Sequence, residues 1–210
     1  GGDLLVVHAE ELVTCRGPAP KCGAAMSDLG VIPDGALVIR GGRIAAVGPT
    51  EAVLAEWGAV PLPRLDARGK AVLPGFVDSH THLVFGGYRP EEFAWRLQGM
   101  RYMEIMARGG GILSTVAATR ATDTAALVEG GRRRLDGLLA FGVTTVEGKS
   151  GYGLDRETEL RQLEAMAQLD REHTLDIVPT FLGAHAVPPE FKGRPDAYID
   201  FLGREVLPAV

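Results

Sequence analysis

The segment AVLPGFVDSHTH, residues 71–82, decides the fold. Its first eight residues, 71–78, form a compact, largely apolar run that predicts a buried strand, and two histidines, His80 and His82, follow directly. Side chains two positions apart on a strand point to the same face, so both imidazoles can converge on one metal ion. Neutral imidazole is the commonest metal ligand in proteins. The segment therefore predicts a metal site at the carboxyl end of a buried strand.

Strand and helix patterns alternate after this segment. Apolar, β-branched runs at 143–147 and 176–182 predict strands, and helical patterns are expected at about 90–108, 123–141, 156–172 and from 195 to 207. Gly142 is expected to end the helix over 123–141, and Asp155 to cap the start of the helix over 156–172. Strands that are apolar throughout and alternate with helices indicate a parallel sheet covered on both faces. A (β/α)8 barrel needs eight such units, and three are visible. The α/β class is therefore expected, with residues 63–210 as the first three units of a barrel whose remainder is missing.

The residues before 63 have a different character. Two β-like runs, 36–40 and 43–47, flank Gly41-Gly42, and a Gly-Gly pair in this place favours a two-residue hairpin turn. We expect residues 1–62 to form part of a small antiparallel β domain. Its few strands cannot bury both faces of a sheet alone.

Composition excludes several classes of function. The 210 residues carry a net charge of −5 and no long basic block, which argues against a nucleic-acid partner. The tightest basic cluster, Arg132-Arg133-Arg134, lies in a helical pattern and is expected on a solvated helix face. No apolar run approaches the ~20 residues of a membrane-spanning helix, and a signal peptide is not expected. Two cysteines, Cys15 and Cys22, are too few for a disulfide framework. These features predict a cytoplasmic protein.

Three further side chains follow predicted strands or their loops. Tyr152 lies between two glycines after the second strand, where its phenol can hydrogen-bond a small polar ligand. Arg89 follows Gly86-Gly87 and suits either a substrate carboxylate or a surface salt bridge. His185 follows the third strand and is a candidate metal ligand or substrate contact. The carboxyl ends of barrel strands form one face, so these groups are expected near His80 and His82.

Glu147 and Lys149 lie on one face of the second predicted strand. They can pair with each other, or Lys149 can be a modified, metal-bridging lysine. The sequence leaves both interpretations open.

Residues 72–82 resemble the first-strand signature of the metal-dependent amidohydrolase superfamily. A narrower resemblance, to the imidazolonepropionase family, is carried by five blocks: HTHLVFGG (80–87), RLQG (96–99), GGGILSTV (109–116), KSGYGL (149–154) and TFLGAH (180–185). The SGYGL and LGAH blocks belong to this family rather than to the superfamily as a whole.

The resemblance implies a (β/α)8 barrel with a small β-sandwich made from both chain ends. It implies hydrolysis of 4-imidazolone-5-propanoate to N-formimidoyl-L-glutamate in histidine degradation, by water activated on one zinc or iron ion. His80 and His82 match the metal ligands of the family. Arg89, Tyr152 and His185 match substrate contacts, and Tyr102 is expected near them.

The roles from chemistry and from the resemblance agree. Arg89 would bind the propanoate carboxylate, Tyr152 the ring or carboxylate, and His185 would be the catalytic group that holds the ring carbonyl. Gly148 departs from the family, which usually has a bulky apolar residue there, and we expect looser packing beneath Lys149. The family's third metal-binding histidine, its metal-binding aspartate and its acidic general base are expected beyond residue 210.

Two alternatives stay open. A related amidohydrolase, such as a deaminase of another nitrogen heterocycle, shares the two-histidine motif. The 210 residues can also form a non-catalytic module, and we expect no turnover and weak metal retention from this piece alone. A homodimer of the whole protein is compatible with the sequence.

Overall fold

A computed structural model describes residues 2–210, with the backbone alone at Met106. The chain divides into two compact units, one ending at Pro74 and the other beginning at Gly75. The division therefore lies later than residue 62, where the composition changes. The reason is pairing: two short strands after residue 62 hydrogen-bond to the first strand of the chain.

The first unit is built on a five-stranded sheet. Its strands are β1 (Leu4–Val13), β2 (Val31–Arg40), β3 (Arg43–Pro49), β4 (Arg64–Asp66) and β5 (Ala71–Val72), and one helix, α1 (Thr50–Trp57), follows β3. The predicted hairpin is confirmed, because β2 and β3 pair antiparallel and both Gly41 and Gly42 have positive φ. The sheet as a whole is mixed rather than antiparallel, since β4 and β5 run parallel to β1.

The second unit contains a three-stranded parallel sheet in the order β6–β7–β8. Its strands are β6 (Phe76–Thr81), β7 (Val143–Lys149) and β8 (Asp176–Thr180). Its helices are α2 (Pro90–Leu97), α3 (Tyr102–Ala107), α4 (Ile112–Arg120), α5 (Thr124–Ala140), α6 (Arg156–Glu172) and α7 (Pro195–Phe201), and a π-helical turn, Leu202–Val206, follows α7. The predicted α/β class and the parallel sheet are confirmed.

The apolar run at 71–78 is not one strand. Its start is β5 in the first unit, and its end opens β6 in the second. Pro74 separates them because proline cannot donate to a sheet ladder. The strand is also less buried than predicted, since Phe76 and Val77 are 53% and 67% exposed.

The helix boundaries agree with the sequence pattern at some positions and differ from it at others. Gly142, with φ +84°, ends α5, and the Asp155 side chain caps α6 by accepting a hydrogen bond from the Thr158 N–H, both as predicted. The single helix expected over 90–108 is two helices, because the chain turns at Gly99 with φ +83°. Helix α4 was not predicted. No helix among the described residues is long and apolar enough to cross a bilayer.

The core of the second unit lies where α5 and α6 meet β7 and β8. The largest buried cluster contains residues of all these elements: Leu127, Leu135, Val146, Met166, Leu169 and Ile177, among others. Gly148 lies against this cluster, where an added Cβ would be 2.8 Å from Met166 Sδ and 3.2 Å from Leu83 Cδ2. The expected loosening at Gly148 is therefore wrong, since the missing side chain is what allows close packing.

Candidate active site

The two histidines of the decisive segment lie at the carboxyl end of β6. His80 is exposed within the strand, and His82 is partly buried just after it. Their ring centroids are 6.2 Å apart, with the ring planes at 68°. With Zn–N bonds of about 2 Å and the tetrahedral geometry usual for zinc, the ring centres of two histidine ligands lie about 5 Å apart. The observed separation is about 1 Å wider than that.

One ring nitrogen of His82 also fits a ligand role. Its Nδ1 is buried and has no hydrogen-bond partner among the described residues. A buried polar atom normally has a partner, so an orphaned imidazole nitrogen beside a second histidine is what a missing cation would leave. Within residues 2–210 no group of three or more histidine, cysteine or acidic side chains could hold a metal ion. The two histidines therefore fit part of a metal site.

The electrostatic environment keeps His82 neutral. Burial, together with the positive charges of His185, His80 and Lys149, lowers its pKa to about 4. At neutral pH the imidazole is therefore uncharged, which is the form that binds metal ions.

Three rings from three successive strand ends meet at this site. His82 follows β6, Tyr152 follows β7, and His185 lies in a short 3-10 turn after β8. His82 stacks on His185 at 4.8 Å with nearly parallel planes, and the Tyr152 ring is 4.7 Å from His82 and 5.4 Å from His185. The structure thus brings together three of the residues that the sequence singled out.

Arg89 reaches the same region. It lines a cavity of about 280 Å³ together with His82, Phe85, Tyr88, Thr115 and Tyr152. Its guanidinium Nη1 also lies 3.2 Å from Glu92 Oε2, so the salt bridge considered as an alternative is formed as well. Tyr102 is not among the residues that line this cavity; it begins α3 and is 52% exposed.

Tyr152 and His185 present defined hydrogen-bonding groups. Burial raises the pKa of Tyr152, and the positive charge of Arg89 partly opposes this, so the phenol is protonated at neutral pH. The Nδ1 atom of His185 lies 3.1 Å from the Gly151 carbonyl oxygen. A carbonyl can only accept, so Nδ1 is the donor, and Nε2 of the neutral ring is left as an acceptor.

Glu147 and Lys149 pair with each other. The hydrogen bond from Lys149 lowers the pKa of Glu147, and a second one, from Thr180 Oγ1 at 2.7 Å, acts in the same direction. The ion-pair interpretation is therefore confirmed.

Two buried polar residues escaped the sequence analysis. Glu159 and Gln162 are fully buried on α6, and Glu159 accepts hydrogen bonds from the backbone of the loop that carries Tyr152. The signal was present: positions 159, 162, 166 and 169 form one helical stripe, and two of its members are polar. A polar residue on the buried stripe of a helix needs a partner, and here the partner is a functional loop.

Two family models match the chain. The model of the amidohydrolase family matches residues 65–111, and that of the imidazolonepropionase-like composite domain of bacteria matches residues 35–59. Curated relatives named imidazolonepropionase include those of Parabacteroides distasonis, 58% identical over 99% of this chain, and Symbiobacterium thermophilum, also 58% identical over 99%. That of Clostridium tetani is 49% identical over 100%. The chain spans 50%, 49% and 50% of these three relatives, about half their length.

Solved structures share the fold at low sequence identity. Guanine deaminase of E. coli has a TM-score of 0.57 and 17% identity, covering 97% of this chain and 43% of the deaminase. Guanine deaminase from Bradyrhizobium japonicum has a TM-score of 0.55 and 19% identity, covering 97% and 41%. At this level of identity the likeness concerns the fold alone.

Proposed function

Because the chain belongs to the imidazolonepropionase family, we propose that the whole protein hydrolyses 4-imidazolone-5-propanoate to N-formimidoyl-L-glutamate in histidine degradation. The observation that carries this proposal is the meeting of His82, Tyr152 and His185 beside a cavity that Arg89 also lines. Each of these side chains suits one part of that substrate. The same relationship supports a cytoplasmic enzyme.

The fold supports the proposal at a finer level. The second unit would be the first three β/α units of a (β/α)8 barrel, and the first unit part of a small β-sandwich domain. Parallel strands β6, β7 and β8 in chain order, with the candidate residues at their carboxyl ends, are what such a barrel requires. The remaining metal ligands and the general base would lie in the part of the whole protein that corresponds to the other half of these relatives.

Arg89 and Tyr152 would bind and orient the substrate. The planar guanidinium of Arg89 can form two parallel hydrogen bonds to the propanoate carboxylate, exchanging its contact with Glu92 for one with substrate. The protonated phenol of Tyr152 can donate to the ring or to the carboxylate. Phe85 and Tyr88 also line the cavity, and their rings can pack against the imidazolone ring.

His185 would act at the ring itself. With Nδ1 committed to the Gly151 carbonyl, the neutral ring can accept an N–H of the imidazolone through Nε2. When protonated it can instead donate through Nε2 to the carbonyl oxygen as negative charge develops there. Hydrolysis adds water across the carbonyl–nitrogen bond of the ring, so a donor at this oxygen stabilises the transition state.

His80 and His82 would hold one metal ion, zinc or iron. When bound, such an ion is a Lewis acid that lowers the pKa of a coordinated water to about 7. The low pKa of His82 keeps its ring available as a ligand through the neutral range.

Substitution of Arg89 and His82 in the whole protein tests the proposal. We expect Arg89→Lys to raise KM for imidazolonepropanoate at least tenfold, because lysine keeps the charge but loses the two-pronged geometry. We expect His82→Ala to lower both the metal content of the purified protein and turnover. Arg133→Ala, on the exposed face of α5, is the matched control and should leave KM, metal content and turnover unchanged. Release of ammonia from guanine or a cytosine analogue, without turnover of imidazolonepropanoate, would instead establish the deaminase alternative.

A further inference from the structure

Glu159 is a fully buried carboxylate with an unusual set of partners. Its Oε1 accepts hydrogen bonds from the backbone N–H groups of Gly153 at 2.8 Å and Leu154 at 2.9 Å. The N–H of Gly151 lies 3.0 Å from Oε2 and 3.1 Å from Oε1. Three of the four amides from Gly151 to Leu154 thus point at one side chain, a convergence that suits an anion.

The loop needs such a partner to keep its shape. Leu154 is buried with φ +57°, a left-handed conformation that costs a branched residue free energy and persists only where its surroundings enforce it. Buried N–H groups without an acceptor would be costly as well. Glu159 offsets both costs, because it accepts hydrogen bonds from the N–H groups of Leu154, Gly153 and Gly151.

Gln162, one helical turn later, connects this loop to the neighbouring one. Its Oε1 accepts from the Tyr152 N–H at 3.3 Å, and its Nε2 donates to the Val84 carbonyl oxygen at 2.7 Å. Val84 lies two residues after His82. One buried face of α6 therefore bonds to the backbone on both sides of the contact between His82 and Tyr152.

We infer that Glu159, supported by Gln162, is a positioning residue that fixes the loop Gly151–Leu154 so that Tyr152 is held against His82 and His185. Glu159 itself touches no ring of the site; it acts through the backbone. Its effect on turnover rests on the proposed function, whereas its effect on the loop does not.

Amide hydrogen exchange in the whole protein tests the loop directly, with no substrate present. Glu159→Gln keeps one oxygen but places an NH2 group against an N–H donor, so we expect exchange at Gly151, Gly153 and Leu154 to accelerate at least tenfold. Glu164→Gln, exposed on the same helix, is the control and should leave these amides unchanged. If the glutamine variant does not fold, Glu159→Asp keeps the charge, withdraws it by one methylene and should give the same acceleration. Unchanged exchange in the folded variant would overturn the inference.

Steady-state kinetics test whether the effect passes through Tyr152. Displacing a substrate contact by about 1 Å can lower the reaction rate on the order of a hundredfold. We therefore expect Glu159→Gln to lower kcat/KM ten- to a hundredfold, mainly by raising KM. In a Tyr152→Phe background the same substitution should cost less than about twofold. Equal losses in both backgrounds would show a general structural role and overturn the inference. A wild-type protein that does not turn over imidazolonepropanoate would reject the proposed function, while the exchange experiment would still decide the role of Glu159.

Discussion

The two segments that carry the candidate site residues are fixed in opposite ways. The segment after β6, residues 82–89, turns backbone carbonyls towards a cation, Arg134 of α5. Arg134 donates to the carbonyl oxygens of Leu83 at 2.8 Å and Phe85 at 3.5 Å, and also to the Tyr88 hydroxyl at 3.1 Å. The segment after β7, residues 150–154, turns backbone N–H groups towards an anion, Glu159 of α6. A loop can thus be fixed by whichever charge matches the backbone groups it directs inward.

Burial separates the two arrangements further. Glu159 is fully buried, whereas Arg134 is partly exposed and lies over the ring of Phe85 at 3.7 Å. Hydrogen bonds in a region of low dielectric are stronger and costlier to lose. We therefore expect the segment with Tyr152 to be the stiffer of the two, and the segment with Arg89 to adapt when a substrate carboxylate replaces Glu92.

The largest effect is expected from removing the cation of the first segment. Arg134→Ala deletes charge-assisted hydrogen bonds and the stacking on Phe85, so we expect the free energy of unfolding of the whole protein to fall by about 2 kcal/mol in urea titrations. Arg133→Ala, at the next position, removes only an exposed pair with Glu129 and should cost less than about 0.5 kcal/mol.

Hydrogen exchange then shows whether the segments are independent. In Arg134→Ala the amides of residues 83–88 should exchange faster, while those of Gly151 and Gly153 keep their wild-type rates. Equal acceleration in both segments would break the comparison, because it would mean that one anchor serves both.

A matched pair of tyrosines tests the role of burial. The Tyr198 hydroxyl is buried and donates to the Gly183 carbonyl oxygen at 2.6 Å, and it lies 3.3 Å from the Leu154 carbonyl oxygen. Tyr198→Phe should destabilise the protein by about 1–2 kcal/mol, since it leaves buried acceptors without their donor. Tyr88 is 72% exposed, and Tyr88→Phe should change stability by less than about 0.5 kcal/mol. Similar unfolding midpoints for the two variants would contradict the distinction.

The rings of the site were predictable from sequence, and their anchors were not. His82, Tyr152 and His185 lie one, three and five residues after the ends of β6, β7 and β8, and parallel strands bring such positions to one edge. Arg134 looked like one of three consecutive arginines on a solvated helix, and its contacts lie 51 and 46 positions away in sequence. Bonds from a side chain to a distant backbone leave no local pattern.

Contacts between residues far apart in the sequence also explain the errors in the predicted fold. The division of the chain depends on which strand Arg64–Asp66 and Ala71–Val72 pair with, and the pairing partner lies near the start of the chain. Gly142 and Asp155 were predicted correctly because each acts within its own turn. Tyr102 was placed near the site by resemblance alone, and its role there stays a prediction.

The smallest effect concerns the outer support of the second segment. Arg120 donates from Nε to the Gly153 carbonyl oxygen at 2.8 Å and pairs through Nη1 with Glu190, whose side chain is 56% exposed. The hydrogen bond from Arg120 lowers the pKa of Glu190. A carboxylate with a lowered folded pKa stabilises the protein above its unfolded pKa of about 4.3 and loses that contribution as the pH falls through the folded value. Screening at an exposed pair keeps the contribution below about 0.5 kcal/mol.

Urea titrations of wild type and Glu190→Gln at several pH values measure this contribution. We expect a small difference in unfolding free energy at pH 7 that shrinks as the pH falls through the carboxylate range, below about pH 4. Glu164→Gln should show no such trend, because Glu164 forms no salt bridge with an arginine among the described residues. A difference above about 1 kcal/mol, or one that grows on acidification, would mean that this surface pair fixes the Tyr152 segment as firmly as the buried Glu159 does, and the contrast between inner and outer anchors would fail.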